Sequence, residues 1–429
     1  MFSTKFIAAT KEYCTHEKMI PAPLIRKRFA LDALPKKAAL TVCGLGFYKL
    51  YLNGKEITNG YLASFQSNPD QVLYYDVYDV KSLLQKGENV IGIILGNGFL
   101  NCIGGQVWDF DQAAFRSAPK TALALETEKG VLFEADESFK THPSPIFFDD
   151  MREGEFYDAR NETEGWANVG FDDSAWQNAI SAKTPLGEPT VSKAPTLKIM
   201  QRLSPVRYHA YGKGYIFDFG ENTAGFVRIS LQNAEAGQVL DFTYFERLAD
   251  DKGPFTYNIR FGSKTRDGFV QQGQYICKAG AQVYEPSFVW FGYRYLFIEG
   301  LTEEQVKSLE IEALEIRSSV ELRGRFACSD KAVNTLMEMI RRSDLTNLFH
   351  YPVDCPHREK NGWTADAALS CEQMLLQMNV EDVLAEWLKT IRGAQSAKGE
   401  FPGIVPTGGW GFEWGNGPAW DCTVTPLLL

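Results

Sequence analysis

Residues 328–349 read CSDKAVNTLMEMIRRSDLTNLF, and inside this stretch the hydrophobic period of the chain changes. Ser329 and Asp330 offer side-chain oxygens to cap a helix, after which Val333, Leu336, Met337, Ile340 and Leu345 recur at helical spacing. Two further helices are predicted over Ala365–Met378 and Val380–Gly393. N-terminal to Phe326 the pattern is that of strands. From about residue 24 to 135, β-branched and aromatic runs alternate with turn residues: FYKLYL (47–52) leads into Asn53-Gly54, a two-residue hairpin signal. VLYYDVYDV (72–80) and LLQKGENVIGIILGNGFL (83–100) continue it, punctuated by Gly87, Gly96 and Gly98. A second β-rich region over 196–317 contains IFDFGENTAGFVRISL, VLDFTYFERL and FVWFGYRYLFIEGL. Between them, 141–195 carries Pro143, Pro145, Trp166, Trp176 and many acids, and reads as a loop-rich connector. The expected fold is multidomain: two antiparallel β-sandwich domains, the first jelly-roll-like with its connector (1–185) and the second over 186–320, followed by helices (321–429).

The 429 residues suit about three domains at roughly 150 residues each. The balance of 44 basic and 54 acidic side chains, net −10, comes without a basic tract, which argues against nucleic acid as a partner. Aromatic residues reach 13%, and an acidic, aromatic surface suits polyhydroxylated ligands, whose C–H faces stack on rings while carboxylates accept their hydroxyls. The eight cysteines are scattered (Cys14, Cys43, Cys102, Cys277, Cys328, Cys355, Cys371, Cys422), so neither a disulfide framework nor a zinc site is expected, and no cofactor. The N-terminus has an apolar run of only four residues, Phe6 to Ala9, and no stretch is long enough to span a bilayer. A cytoplasmic setting without membrane association is the expectation, unless an export segment has been removed.

The densest chemistry lies between the first two helices. In DCPHREKNGWTAD, Asp354, Glu359 and Asp366 share thirteen residues with Arg358 and Trp363. Glycoside hydrolysis needs a carboxylic acid to protonate the leaving oxygen and, for inversion, a second carboxylate to activate water. A donor must stay protonated near neutral pH, so Arg358 is expected to face Asp354 or the sugar rather than Glu359. Taken singly, each acid is more often a solvated surface group, and Trp363 more often core than sugar platform. His350 and His357 flank the loop without the partners of a triad or metal site. A second patch, GGWGFEWGNGPAWD (408–421), places Trp410, Trp414 and Trp420 with Glu413 and Asp421 among glycines, as a sugar-binding loop or a packed aromatic loop. Asp218, Glu221 and Asn222, like Asp149, Asp150, Glu153 and Glu155, read as turn formers without EF-hand spacing.

YLNGKEI, VLYYDVYDVKSLLQKGENVIGIILGNGF, GEFYDARNETEGW, GFDDSAW, DFGENTAGFVRI, FVWFGYRYLFIEG and DCPHREKNGWTADA, in that order, resemble landmarks of the bacterial α-L-rhamnosidases of glycoside hydrolase family 78. The resemblance implies two β-sandwiches and the first helices of an (α/α)6 barrel, in an enzyme that removes terminal α-L-rhamnose from glycosides or polysaccharides with inversion. It places Glu359 at the general acid and Asp354, Arg358, Trp363 and Asp366 in the rhamnose subsite, with Trp420 and Asp421 as a later Trp-Asp element of that pocket. His357 and Ala365 stand where many relatives carry glutamine and glycine. The family's general base is a glutamate of the later hairpins. About 100 residues follow Phe326, a quarter to a third of twelve helices of roughly 11 residues with their connections, so the base is expected to lack a counterpart here and the chain alone to have little activity. A non-catalytic carbohydrate-binding protein and an (α/α)6 glycosidase for another sugar are the alternative readings.

Overall fold

Strand Tyr48–Leu52 turns its Tyr48, Leu50 and Leu52 side chains inward and leaves Lys49 and Tyr51 partly exposed. At Asn53-Gly54 it reverses into Lys55–Glu56, with φ of 51° and 82°, the two positive values that a type I′ hairpin requires. This hairpin is one edge of the first unit in the computed structural model, which describes residues 2–259, 271–414 and 416–421, apart from the side chains of Ala419 and Asp421. A seven-stranded sheet centred on Ala38–Leu45 and Lys120–Thr127 faces a six-stranded sheet centred on Pro23–Leu31 and Gly87–Leu95. Between the sheets lie Ile25, Leu40, Val42, Leu50, Ile91, Ile93, Leu123 and Leu125, all buried. Alternation puts every second side chain on this face, so apolar burial itself fixes the register.

The second unit is a ten-stranded hydrogen-bonded network threaded by one long strand, Gly214–Ala234, which pairs with Arg207–Tyr211, Gly280–Tyr284, Phe291–Glu299 and Glu310–Ser318. Its register shifts between Asp218 and Thr223, where Gly220 takes a φ of 86°, letting one strand serve different neighbours along its length. Two features depart from the sequence reading. Strands Ile146–Asp150 and Gly154–Asp158 lie inside the supposed connector, yet they join this second sheet, while Glu188–Val191 pairs back to the first. Nor are the sheets wholly antiparallel, because Gly154–Asp158 runs parallel to Gln272–Ile276, and Glu188–Val191 parallel to Val72–Asp79. Each parallel pair is joined through more than a hundred residues, the long connection that parallel pairing demands and that hairpin-based reading of a sequence misses.

Helix α1 (Glu303–Ser308) starts at a capping box made by Thr302 and Gln305. Helices α2 (Lys331–Thr346), α3 (Thr364–Gln377) and α4 (Glu381–Gly393) follow. Asp330 caps α2 by accepting from the Ala332 amide at 2.8 Å. Leu345, Cys371, Met374, Met378, Val383 and Leu384 form the interface between these helices. Trp387 and Ile391 of α4 pack with Tyr351 and with Tyr74 of the first unit, whose hydroxyl donates to Glu386 at 2.9 Å. The helices are thus seated on the sandwich. In contrast, Val333, Leu336 and Met339 of α2 and Leu369 and Leu376 of α3 are exposed.

Gly154 adopts a φ of 133° at the start of the parallel strand pair, and a Cβ there would stand 1.7 Å from the Gln272 carbonyl oxygen. Both the backbone conformation and the space exclude a side chain. Gly154→Ala should lower unfolding free energy by about 2–4 kcal/mol, as strain at a special φ does. Urea denaturation checks this, and a change within experimental error would mean that the two strands can separate without cost.

Candidate functional site

Residues 350–363 are held at both ends by the helical unit and underneath by the β units. The Asp354 amide donates to the Asn361 carbonyl at 3.0 Å, and the Asn361 amide returns a hydrogen bond to Asp354 Oδ1 at 2.9 Å, closing the loop on itself. On the far side, the Thr364 amide donates to Gly403 O and the Val405 amide to Gly362 O, at 3.0 and 2.9 Å, so the segment before the tail lies beneath the start of α3. Gly292 makes the seat: a Cβ there would be 2.6 Å from Pro356 Cγ.

Two buried cations lock this loop. Arg152, in the turn between strands Ile146–Asp150 and Gly154–Asp158, donates to the Glu359 carbonyl at 2.7 Å and to Asn361 Oδ1 at 2.6 Å. Its guanidinium lies 5.0 Å from the Trp108 ring and 5.2 Å from Phe110. In return Lys360, at a φ of 53°, donates from Nζ to the Met151 carbonyl at 2.5 Å and to the Trp290 carbonyl. Both side chains are 1% exposed. Burial, with the Arg152 charge adding to it, pushes the Lys360 ammonium down to about 7. Neither cation was singled out in the sequence; the signal available was a basic residue within each acid-rich turn motif, DDMREGE and DCPHREKN.

On the open side of the loop stand the carboxyls. Glu359 accepts from the Trp363 indole Nε1 at 3.0 Å and from Arg358 Nη2 at 3.1 Å. The expectation that Arg358 faces away from Glu359 is therefore corrected: Asp354 is already engaged by the Asn361 amide and the Cys355 thiol (3.2 Å), which leaves Glu359 as the neighbouring acceptor. The Asp354 carboxyl is pushed up to about 9, by burial first and then by its neighbours Cys355 and Glu359. Asp366, in the first turn of α3, is also raised, by burial and by the Glu359 charge. Asp354, Glu359 and Asp366 thus form one interacting group. Trp363 meets Trp410 edge-on at 5.8 Å and Trp420 at 6.4 Å, and Trp410 lies 5.4 Å from Trp414, so the tail and the loop share one cluster of indoles. Trp414 and Glu413 are exposed. The Asp421 side chain lies outside the described residues.

Other expected positions go elsewhere. His350 is buried, bonded through Nε2 to the Leu62 carbonyl at 3.1 Å, and burial holds it neutral, its pKa down to about 3. His357 approaches Glu246 at 3.9 Å, and burial lowers its pKa too. Asp149, Asp150, Glu153 and Glu155 are not solvated turn formers but are each at most 1% exposed. Asp149, Asp150 and Glu155 accept backbone amides of other segments, such as Asn97 to Asp149 at 2.6 Å, Ile103 to Asp150 at 2.6 Å and Ser287 to Glu155 at 2.8 Å. Asp150 also accepts the Arg152 and Glu153 amides of its own turn, and Glu153 pairs with His16 at 2.7 Å. Asp218 does bond the Gly220 amide of its own turn, but is 2% exposed and pairs with Arg207 and Arg294. Glu221 pairs with Arg342 of α2 at 2.9 Å. Among the described residues the cysteines are free thiols, and no group of three or more His, Cys, Asp or Glu is arranged to hold a metal.

Two β units ahead of packed helices, with a carboxyl and indole cluster at the helical end, place the chain in the class of multidomain proteins built from β-sheet units and a helical unit. Three family models match in succession: the alpha-L-rhamnosidase N-terminal domain over 33–201, the bacterial alpha-L-rhamnosidase concanavalin-like domain over 209–317, and the bacterial alpha-L-rhamnosidase 6 hairpin glycosidase domain over 321–427. The chain belongs to the bacterial α-L-rhamnosidases, glycoside hydrolase family 78. It is 32% identical over 380 residues to an alpha-L-rhamnosidase of Formosa agariphila, covering 86% of this chain and 39% of that protein. The solved alpha-L-rhamnosidase of Dictyoglumus thermophilum superposes with a TM-score of 0.88 at 30% identity, covering 99% of this chain and 48% of that one. The Streptomyces avermitilis alpha-L-rhamnosidase complexed with L-rhamnose shares the fold, with a TM-score of 0.83 at 24% identity over 96% of this chain and 40% of that one. The chain thus spans less than half the length of these relatives.

The raised Asp354 carboxyl has a measurable sign. Between its ordinary value of 3.8 and about 9 it is protonated when folded and ionised when unfolded, so unfolding releases a proton and stability falls as pH rises through that window. Asp354→Asn keeps the neutral shape without the titration. Relative to this variant, the unsubstituted chain should lose stability in urea between about pH 5 and about pH 8. A constant difference across that range would show that Asp354 is ionised in the fold.

Proposed function

We propose that the whole protein hydrolyses terminal α-L-rhamnosides with inversion, and that Glu359 is its proton donor. The observation that carries this reading is the position of the Glu359 carboxylate, between the Trp363 indole N–H and Arg358, beside the two raised carboxyls of Asp354 and Asp366. Glu359 is 15% exposed in its side chain and Arg358 36%, so the acid is sheltered while the guanidinium can turn outward. A rhamnose hydroxyl accepting from Arg358 would draw that guanidinium away from Glu359 and toward the sugar. Asp354 and Asp366 would bind sugar hydroxyls, and Trp363 with Trp420 would form the wall against the ring and its methyl group. Asp421 belongs to this pocket by its place in the motif. Inversion requires a second carboxylate that activates water across the sugar; none of the described residues is assigned that part.

Helices α2, α3 and α4 are, on this reading, the first of an (α/α)6 barrel. The match of 321–427 to a six-hairpin domain supports it, as do the exposed apolar side chains of Val333, Leu336, Met339, Leu369 and Leu376, which a ring of further helices would cover.

One observation favours a second reading for the acid: Asp354 holds its proton to about 9, whereas Glu359 faces Arg358. Leaving-group dependence separates the two. In the whole protein, Glu359→Gln should slow hydrolysis of a rhamnosyl disaccharide roughly a hundred- to ten-thousandfold, with much less effect on an activated aryl rhamnoside that needs little protonation. Asp354→Asn should weaken both, in KM as well as kcat, through lost hydrogen bonds to the sugar. If Asp354→Asn shows the leaving-group dependence and Glu359→Gln slows both substrates alike, Asp354 is the donor.

A further inference from the structure

A second cavity lies away from this site. A cleft of about 790 Å³ runs between the outer face of the first unit's six-stranded sheet and the edge of the second unit, and none of its lining residues comes from 350–363 or from the tail. Its volume falls within the roughly 300–1,000 Å³ usual for small-molecule sites. Nothing in the reactions discussed above uses it.

The walls have a definite chemistry. From the first unit come Lys49 and Tyr51, the two outward positions of Tyr48–Leu52, and Trp166 from the segment that crosses beneath. Tyr51 and Trp166 meet edge-on at 5.3 Å with 69° between their planes, and both are partly exposed where they line the cleft. The benzo rim of Trp166 approaches Gly92, where a Cβ would stand 2.7 Å from two indole carbons, so glycine is what leaves room for the ring at that strand. From the second unit come Arg228 with Glu285, and Lys278 with Glu162. These charges are already paired, at 4.0 Å and 2.5 Å, and so present donors and acceptors without a net field. Lys49 makes no direct ion pair among the described residues.

Aromatic faces beside balanced donor–acceptor pairs match the two surfaces of a pyranose, apolar C–H faces and an equatorial fringe of hydroxyls. Arg160 and Glu164 line the cleft as well; its acids Glu162, Glu164 and Glu285 would oppose an anion, and a purely apolar ligand would strand the charged groups. We propose that this cleft is a second carbohydrate site, which binds a neutral oligosaccharide with Tyr51 and Trp166 as stacking surfaces and Lys49 as a hydroxyl donor. It is separate from the carboxyl and indole cluster around Glu359 and does not depend on the hydrolytic assignment.

Calorimetry with cellotetraose, mannotetraose and a neutral rhamnose-containing tetrasaccharide tests this on the chain itself. At least one should bind. That binding should weaken about tenfold in Trp166→Ala, the upper range for loss of one aromatic contact, and measurably in Lys49→Ala, a surface change that leaves packing intact. For cellotetraose and mannotetraose, which carry no rhamnose for the Glu359 site, Trp363→Ala should leave it unaltered. The proposal is overturned if none of the three sugars binds, if binding survives both Trp166→Ala and Lys49→Ala, or if Trp363→Ala abolishes binding of cellotetraose or mannotetraose.

Discussion

The loop that carries Glu359 is held by an exchange of buried cations. Arg152 reaches from the second β unit into the loop, and Lys360 reaches from the loop back to the same turn and to Trp290. A cation out of water is costly unless every donor finds an acceptor, and a hydrogen bond to a charged group contributes about 1.5–3 kcal/mol. Here the acceptors are mainly carbonyls, whose positions depend on the backbone, so the cations specify the path of the chain as well as stabilising it. The consequence for chemistry is direct: the Arg152 bond to the Glu359 carbonyl fixes the peptide from which the proposed acid projects.

The buried carboxylates serve the same end from the other side. Asp149 and Asp150 accept amides from Asn97, Ile103 and Gly104, and Asp150 also accepts those of Arg152 and Glu153. The turn that presents Arg152 is thereby bonded to the first sandwich while its strands belong to the second sheet. Burial pushes the Glu155 carboxyl up to about 7, against the opposing effect of the Ser287 and Phe288 amides it accepts. Such groups are expensive to leave unpaired, which makes the junction between units intolerant of displacement. Helix α4 completes the frame through Tyr74 and Glu386.

Much of this was legible in the sequence. The Asn53-Gly54 turn, the Asp330 cap and the three helices follow from local chemistry, since each depends on neighbours within a few residues. The cluster of Asp354, Glu359, Asp366 and Trp363 was visible because its members are close in sequence. What could not be read there depends on distant partners. Strands Ile146–Asp150 and Gly154–Asp158 are hidden because their acids resemble loop residues, while amides that Asp149, Asp150 and Glu155 accept from other segments lie about fifty or more positions away. Arg358 faces Glu359 and not Asp354 because Asp354 is already occupied by the Asn361 amide, a partner that electrostatic need alone does not reveal. Trp363, which taken alone reads more readily as core than as sugar platform, lies among the indoles of the tail at the margin of the core, and joins Glu359 through its N–H.

If the cation exchange positions the loop, removing one cation must free that loop before the rest of the fold. Hydrogen exchange of the amides from Asp354 to Trp363 in Arg152→Met, compared with the unsubstituted chain, measures this directly. The account predicts exchange in the loop faster by about tenfold or more, the equivalent of one lost charged hydrogen bond, while amides of strand Gly214–Ala234 keep their protection. Unchanged protection in the loop, or equal loss throughout both units, would contradict it.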